Sequence, residues 1–317
     1  MFLRNAWAEI DLNAIAHNIK EAKKKINEGT KLCAVVKADA YGHGAVPVAK
    51  MALTAGADFL AVALLQEAIE LREAEIKAPI LILGALQEEC AEETVSYEIS
   101  QALFTLRSAE LLSAAAVKLG KKAKVHLVIE TGMNRIGVAP EQAGELAAAV
   151  AAMPGIEIEG CFSHFATADI KNKHYCHEQF DRFKQALTAI EAKGIAIPIK
   201  HIANSAAISE VPEMQLDMVR QGITLYGMWP SDEVVRSLNY EAAMKLKTKV
   251  IFIKQIEQGE TVGYGRTFTA DRPAKIATLP LGYADGISRK VSNKGYVLVK
   301  GKKAPIVGRV CMDQFMI

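Results

Sequence analysis

Eight short apolar runs, separated by longer segments of helical periodicity, constrain the fold of this 317-residue chain more than any other feature. The runs are KLCAVVK (31–37), DFLAVA (58–63), PILIL (79–83), QALFT (101–105), KVHLVIE (124–130), IEGCFS (158–163), KHIAN (200–204) and LDMVR (216–220). The helical segments between them include residues 64–75, 108–122 and 176–194. Apolar runs without polar alternation suit strands that are buried on both faces. Strands that alternate with helices in this way predict a parallel (β/α)8 barrel of the TIM type rather than an open doubly wound sheet.

The pattern changes after about residue 236. Residues 244–253 alternate lysine with apolar residues, and the segments that follow are short strand-like runs broken by glycine-rich turns. We therefore predict a barrel over residues 11–236 and a mainly antiparallel β domain over residues 237–317, joined by a strand from residues 1–10. The chain stops at the apolar stretch QFMI, so we expect this β domain to be incomplete at its C-terminus.

Composition excludes several classes of function. Lys and Arg number 38 against 36 Asp and Glu, and no long basic run is interleaved with aromatic residues, so neither nucleic acid nor a membrane surface is expected as a partner. The five cysteines are widely spaced and form no C-x-x-C pair, which argues against a disulfide framework or a structural zinc site. The first dozen residues do not resemble a signal peptide, and no apolar stretch is long enough to span a membrane, so we expect a cytoplasmic protein.

In a (β/α)8 barrel the chemistry collects where strands end in loops at the C-terminal face. The residues at those positions are Lys37, Arg135, His164, Asn204, Ser205, Arg220 and Gly222. The loops after the seventh and eighth strands of such barrels often bind phosphate, and here they carry Ser205 and Gly222. Serine and glycine also occur in such loops for turn geometry alone, so the arrangement leaves both interpretations open.

A lysine at the end of the first strand, in AVVKADAYGHG (34–44), adds to that pattern. Burial lowers the pKa of a lysine and makes its neutral amine available as a nucleophile and a base. Together with a phosphate site, Lys37 suggests covalently bound pyridoxal phosphate, a cofactor that withdraws electrons from the substrate carbon. The alternative is a strand-end lysine that simply reaches solvent.

A metal-dependent hydrolase is the competing interpretation of the same loops. Its ligands would come from His43, His126, His164 and His201, with Asp39 and Asp169. No H-x-H pair occupies the first strand, and Arg135 and Arg220 at the strand ends would repel a divalent cation. HYCH (174–177) has the spacing of metal ligands, but it opens an amphipathic helix without a second ligand pair. We therefore favour the cofactor over the metal.

Eight motifs, in order along the whole chain, resemble those of bacterial alanine racemases. They are VVKADAYGHG, ETGMNRIG, FSHFATAD, HIANSAA, VRQGITLYG, VGYGRTF, LPLGYADG and GRVCMDQ. The resemblance implies a (β/α)8 barrel with a C-terminal β domain, pyridoxal 5'-phosphate as cofactor, and a head-to-tail homodimer with shared active sites. It also implies interconversion of L-alanine and D-alanine, an amino-acid substrate, and the supply of D-alanine for peptidoglycan.

The resemblance also assigns roles to individual residues. Lys37 holds the cofactor and is the base on one face of the substrate, and Tyr264 of a partner subunit is the base on the other face. The implied cofactor-binding residues are Lys37, Tyr41, Arg135, His164, Asn204, Ser205, Arg220, Gly222 and Ile223. Within this set, Arg220 faces the pyridine nitrogen, and the phosphate contacts come from Tyr41, Ser205, Gly222 and Ile223. The implied substrate-binding residues are Arg135, Met312 and Tyr283.

Elementary chemistry supports two bases. Inversion of a carbon needs a proton removed on one face and returned on the other, which a single lysine cannot do. Tyrosine has an ordinary pKa of about 10, so nearby positive charge has to lower the pKa of Tyr264, and Arg220 could contribute through His164. An always-protonated arginine at the pyridine nitrogen keeps that nitrogen unprotonated and weakens the electron withdrawal, which favours prompt reprotonation of the carbon.

The chain departs from the family pattern at one position of the site. Many relatives carry a carbamylated lysine where this chain has Val128, so Arg135 has to be oriented differently, by Glu130 or by a bound anion. Two alternatives to alanine racemisation stay open from the sequence. One is a racemase for serine or another amino acid, and the other is a cofactor-binding protein that is inactive because of its short C-terminus.

Overall fold

The computed structural model describes residues 4–317, which form two compact units. One unit comprises residues 11–243, and the other comprises residues 4–10 together with residues 244–317. The first strand, β1 (Ala6–Ile10), therefore belongs to the second unit although it precedes the first in the chain. No helix in the described part of the chain is both long and apolar enough to cross a membrane.

Eight parallel strands form the centre of the larger unit. They are β2 (Lys31–Val35), β3 (Phe59–Val62), β4 (Ile80–Ile82), β5 (Ser100–Leu103), β6 (Ala123–Val128), β7 (Ile156–Phe162), β8 (Ile199–His201) and β9 (Met218–Gln221). Each pairs with its sequence neighbour from β2 to β8, and β2 also pairs with β9. Main-chain bonds from Asp217 to Lys200 and from Arg220 to Ala203, both 3.0 Å, link β8 and β9. All eight predicted barrel strands are confirmed.

Helical segments connect the barrel strands, and most of them cover the outside of the barrel, whereas the short segment Lys37–Gly42 turns with positive φ at the carboxyl end of β2. The helical segments are α1 (Leu12–Lys23), α2 (Lys37–Gly42), α3 (Ala45–Thr54), α4 (Leu65–Glu73), α5 (Ala91–Ser96), α6 (Leu106–Leu119), α7 (Ala143–Ala151), α8 (His174–Glu191) and α9 (Ala207–Glu210). Local sequence sets their ends: the Thr105 side chain accepts from the Ser108 amide at the start of α6, and Gly120 ends that helix at φ 63°. The helix predicted to open at HYCH is α8.

Apolar packing occurs on both sides of the barrel wall. Inside, Cys33, Phe59, Leu81 and Met218 belong to one buried cluster. Outside the barrel, two larger buried clusters join the outer faces of the strands to the helices. Ile15 of α1, for example, belongs to the same cluster as Leu32 of β2. Burial on both faces explains why these strands are continuous apolar runs in the sequence.

The second unit is built from short antiparallel strands. They are β1, β10 (Met244–Thr248), β11 (Phe252–Ile256), β12 (Thr261–Val262), β13 (Phe268–Thr269), β14 (Ala274–Leu279), β15 (Tyr296–Val299), β16 (Lys302–Pro305) and β17 (Phe315–Met316). β1 pairs with β10, β14 lies between β11 and β17, and β12–β13 and β15–β16 are two-stranded. The prediction of a mainly antiparallel β domain after the barrel is confirmed.

Candidate active site

A cavity of about 600 Å³ lies at the carboxyl ends of the barrel strands. This volume falls in the range of small-molecule and cofactor sites. The nine residues proposed from the sequence to bind a cofactor all line it: Lys37, Tyr41, Arg135, His164, Asn204, Ser205, Arg220, Gly222 and Ile223. Tertiary structure thus gathers side chains from positions spread over nearly 190 residues around one space.

Lys37 enters the cavity from an unusual backbone segment. The four residues that follow it, Ala38 to Tyr41, have φ between 51° and 55°, which places them all in the left-handed helical region. For residues other than glycine this conformation costs roughly 1–2 kcal/mol each. The Glu67 carboxylate accepts from the Ala38 amide at 2.5 Å and from the Ala63 amide at 2.7 Å, and the Asp39 carboxylate accepts from the Ala45 amide at 2.7 Å. These bonds hold the strained turn and present the lysine.

The environment of Lys37 favours a neutral amine. Burial lowers the pKa of this amine, the charge of Arg135 lowers it further, Glu67 opposes the change, and Arg220 adds to it. A larger fraction of the amine is therefore free to act as a nucleophile or a base near neutral pH. The alternative of a lysine that simply reaches solvent does not fit this half-buried position on the cavity wall.

Arg220 is the buried cation of the site. It is 3% exposed and donates to His201 Nδ1 at 2.7 Å, to the Ser163 carbonyl at 2.8 Å and to His164 Nδ1 at 3.0 Å. Burial lowers the pKa of Arg220 to about 10, so the guanidinium stays charged at neutral pH. Burial, followed by the charges of Arg220, Arg135 and Lys37, lowers the pKa of His164 to about 3, so this ring is neutral and accepts from Arg220.

The other side of the cavity presents hydroxyl groups and a main-chain amide. The Gly222 amide donates to Ser205 Oγ at 2.8 Å. A Cβ atom on Gly222 would lie 3.1 Å from Tyr41 Oη and 3.6 Å from Ser205 Oγ, so the glycine leaves open a small space between these donors. Tyr41 packs against Tyr226, with ring centroids 4.7 Å apart, and the Tyr226 hydroxyl donates to the Val35 carbonyl at 2.8 Å. This arrangement could bind the oxygens of a phosphate group.

Glu130 orders the loop that carries Arg135. Its carboxylate accepts from the main-chain amides of Gly132 and Arg135, the second at 3.3 Å. Val128 is buried at the end of β6. Glu130 therefore acts on Arg135 through the main chain of the loop, by accepting a hydrogen bond from the Arg135 amide.

The remaining three predicted site residues lie in the β unit and are exposed. Tyr264 is 70% exposed, Met312 55% and Tyr283 45%. Tyr264 begins the short 3₁₀ turn Tyr264–Arg266. The residues on either side of it, Gly263 and Gly265, both have positive φ. The cavity is lined by barrel residues, and these three side chains are presented to solvent.

The histidines considered as metal ligands occupy different environments. His126 and His201 are fully buried inside the barrel, His43 packs on Tyr226, and His164 lies beside Arg220. Within residues 4–317 no group of three or more His, Cys, Asp or Glu side chains is placed to hold a metal ion.

Sequence reasoning missed three residues that support the site. Glu67 holds the turn that follows Lys37, Tyr226 donates to the end of strand β2, and Glu159 pairs with the buried His126. Each of these contacts joins distant parts of the chain. Only the position of Glu67 carried a local signal, because it falls three residues after Leu64, where a glutamate caps the start of a helix.

Two family profiles cover almost the whole chain. "Alanine racemase, N-terminal domain" matches residues 10–230, and "Alanine racemase, C-terminal domain" matches residues 243–317. The chain belongs to the alanine racemase family. The alanine racemase of Desulfovibrio desulfuricans is 48% identical over 316 residues, which span 100% of this chain and 85% of that protein.

Solved structures of alanine racemases share the fold. That of Clostridium difficile 630 superposes with a TM-score of 0.95 at 43% identity, covering 100% of this chain and 83% of the other. The enzyme of Bartonella henselae, solved with covalently bound pyridoxal phosphate, gives 0.88 at 30% identity, covering 98% and 85%. The resemblance seen in the eight motifs is confirmed.

Proposed function

We propose that this chain is an alanine racemase that uses pyridoxal 5'-phosphate to interconvert L-alanine and D-alanine. The observation that carries the proposal is the half-buried Lys37 amine on the cavity wall, in a chain that matches alanine racemase profiles in both units. From its family we further infer that the protein acts in the cytoplasm, where its product supplies peptidoglycan synthesis.

The cavity fits the cofactor. Lys37 provides the amine for its covalent attachment, and the Arg220 guanidinium is charged and fixed by three strong hydrogen bonds at the cavity wall. Tyr41, Ser205 and the open space at Gly222 provide the donors that a phosphate needs. When bound, pyridoxal phosphate supplies the electron withdrawal that acidifies the Cα–H bond of an amino acid.

The residues of this chain then perform the proton transfers. Lys37 Nζ takes or returns the Cα proton on one face of the substrate, and its lowered pKa increases the fraction of the amine that is free to do so. Arg220 stays cationic, so it would hold the ring nitrogen of the cofactor by a hydrogen bond without giving it a proton. Arg135, on the cavity wall, offers a cation for the substrate carboxylate.

The second proton transfer requires a base on the opposite face. We propose that Tyr264 Oη is this base and that a second copy of the chain provides it, in a homodimer with two shared sites. Support comes from the exposure of Tyr264, at 70%, on a turn fixed by flanking glycines. Met312 and Tyr283, also exposed, would accompany it, with the main-chain amide of Met312 donating to the substrate carboxylate.

Small apolar residues support a small substrate. The apolar part of the cavity wall includes Val35, Ala63, Leu83, Ala85, Ile136 and Ala166. Alanine has only a methyl side chain to place against such a wall, whereas a hydroxyl or a charged side chain would need its own polar partner.

Exchange at Cα in heavy water tests the two-base assignment. The wild-type chain should take up deuterium from both enantiomers and invert both. Tyr264→Phe should lower racemisation at least about 100-fold, while Lys37 still exchanges the proton of one enantiomer. Tyr296→Phe, an exposed tyrosine of the same unit, is the matched control and should match the wild type. Wild-type inversion by Tyr264→Phe would refute the assignment.

Complementation tests the shared sites. Co-expression of Lys37→Ala chains with Tyr264→Phe chains should restore about a quarter of wild-type activity, because half of the randomly formed dimers carry one intact site of two. If Lys37 and Tyr264 acted within one chain, no mixture would recover activity. Parallel assays with alanine, serine, lysine and arginine establish the substrate.

A further inference from the structure

Among residues 4–317, no carboxylate forms a hydrogen bond or an ion pair with the buried Arg220 guanidinium. Its hydrogen-bond partners are the His201 and His164 rings and the carbonyls of Ser163 and Ile202. A cation removed from water is strongly destabilising unless a counter-charge or a connected hydrogen-bond network compensates it. The compensation for Arg220 therefore has to lie further away.

A line of short hydrogen bonds leads from Arg220 through the barrel interior to a carboxylate. Arg220 Nη1 is 2.7 Å from His201 Nδ1, His201 Nε2 is 2.9 Å from His126 Nδ1, and His126 Nε2 is 3.0 Å from Glu159 Oε2. Both histidines are fully buried. The line crosses from β9 to β8, β6 and β7, so it joins four strands.

The position of the proton on each histidine follows from which group donates each hydrogen bond in this line. Arg220 can only donate, so His201 Nδ1 is bare and His201 carries its proton on Nε2. That proton is donated to His126 Nδ1, so His126 also carries its proton on Nε2 and donates it to Glu159. A cationic form of either ring would place two donors face to face. Burial lowers the pKa of His201 and of His126, which agrees with two neutral rings.

The backbone is built to bring Glu159 into this line. Val125 pairs with Ile158 and His126 pairs with Gly160, so Glu159 is the extra residue of a β-bulge. Such bulges re-aim a side chain. A Cβ atom on Gly160 would overlap the His126 ring, so the glycine makes room for that ring.

Two further groups keep Glu159 ionised. Ser100 Oγ donates to Glu159 Oε2 at 2.5 Å, and Lys124 Nζ lies 3.2 Å from Oε1. Although burial acts in the opposite direction, the hydrogen bonds from His126 and Ser100 lower the pKa of Glu159 to about 2. The line therefore ends on a full negative charge.

We propose that Glu159 is the counter-ion of Arg220, and that His201 and His126 connect the two charges through the barrel as neutral rings of fixed tautomer. Glu159, His126 and His201 are positioning residues, which keep the guanidinium charged and aimed at the cavity. The consequence for catalysis rests on the proposed function of Arg220 at the cofactor ring, whereas the charge pairing itself does not.

Nitrogen NMR of the cofactor-loaded protein with ¹⁵N-labelled histidine tests the proton pattern directly. Three of the seven histidines, His126, His201 and His164, should show bare Nδ1 and protonated Nε2, unchanged from about pH 9 to about pH 6, and the two fully buried rings should also exchange slowly with solvent. The other ionisable groups facing the line are Cys33, His164 and Arg135 around Arg220, and Lys124 beside Glu159. A proton on Nδ1 of either buried ring, or a cationic ring in this range, would overturn the proposal.

Substitution at His126 separates a hydrogen-bonding role from a packing role. Gln can accept from His201 and donate to Glu159, whereas Leu fills similar space without doing either. We expect His126→Leu to lose about tenfold or more in kcat, with the KM for alanine nearly unchanged, and His126→Gln to retain most of the activity. The opposite order, with Leu tolerated better than Gln, would mean that the ring only packs.

The charge of Glu159 is tested by Glu159→Gln, with Glu157→Gln on the same strand as the exposed control. Loss of the counter-charge should lower the melting temperature by about 5 °C or more, and the control should not. Equal melting temperatures would refute the pairing. If the wild-type chain fails to racemise alanine, the proposed function fails, but the NMR and melting results still decide the counter-ion.

Discussion

The buried histidines predict how stability depends on pH. His126 and His201 are fully buried and neutral, and burial with the charge of Arg220 lowers the pKa of His164 to about 3. When the chain unfolds, each regains an ordinary pKa of about 6.5. Each of the three histidines thus has a lower pKa in the folded state than in the unfolded state. Well above about pH 6.5 the rings are neutral in both states and the fold has its full stability. As the pH falls below that value, only the unfolded state takes up protons, so the free energy of unfolding decreases.

The size of the effect follows from proton binding. Lowering the pH from about 7.5 to about 5.5 stabilises the unfolded state by about 1.4 kcal/mol for each histidine that stays neutral in the fold. If the hydrogen bonds from Arg220 through His201 and His126 to Glu159 keep both buried rings neutral at about pH 5.5, these rings give about 3 kcal/mol, and His164 raises the sum to about 4 kcal/mol. Carboxylates titrate mostly below this window. The loss is a large fraction of the 5–15 kcal/mol, roughly, that stabilises an ordinary domain.

Urea unfolding at a series of pH values measures this loss, with Trp229 fluorescence reporting on the barrel. His126→Gln removes one of the three groups and should reduce the pH dependence by about a third. Ile199→Val destabilises the barrel without removing a titratable group, so it should keep the full pH dependence. A free energy of unfolding that is flat between the two pH values would show that these rings take up protons in the folded state and would refute the reasoning.

Three substitutions test other contacts. Tyr226→Phe leaves the Val35 carbonyl without its 2.8 Å donor and should cost about 1–2 kcal/mol, measured by urea unfolding; an unchanged midpoint would show that water replaces the bond. Gly160→Ala places a methyl group on the His126 ring and should cost about 2–3 kcal/mol, so a wild-type melting curve would contradict the close packing. Ser205→Ala should weaken pyridoxal phosphate binding about tenfold in equilibrium dialysis with the fold intact, and unchanged affinity would remove this hydroxyl from the phosphate site.

The sequence was sufficient to predict the barrel and most of the cavity. Strands such as β2 and β6 are buried on both faces, so they appear as uninterrupted apolar runs, and parallel strands bring their carboxyl ends to one side. Residues placed at those ends, including Lys37, Ser205 and Arg220, therefore surround one cavity. The eight motifs then identified the family, because their order along the chain is far more specific than any one of them.

Other features depend on contacts that leave no local pattern. The left-handed turn from Ala38 to Tyr41 contains no glycine, and only Asp39 is of a residue type that often adopts this conformation. The propensities of the other three residues argue against it, and the distant Glu67 carboxylate helps to hold the turn.

The sequence by itself determined the strand order, the set of side chains at the cavity and the family, because each follows from periodicity or from short contiguous motifs. Only the tertiary structure decided the protonation of the buried groups. His126 and His201 looked like candidate metal ligands in the sequence, yet a bulge of one residue and the donors on either side make them neutral connectors between Arg220 and Glu159. The charge state of a ring depends on what faces its two nitrogens, and those partners lie 19 to 75 residues away in the chain.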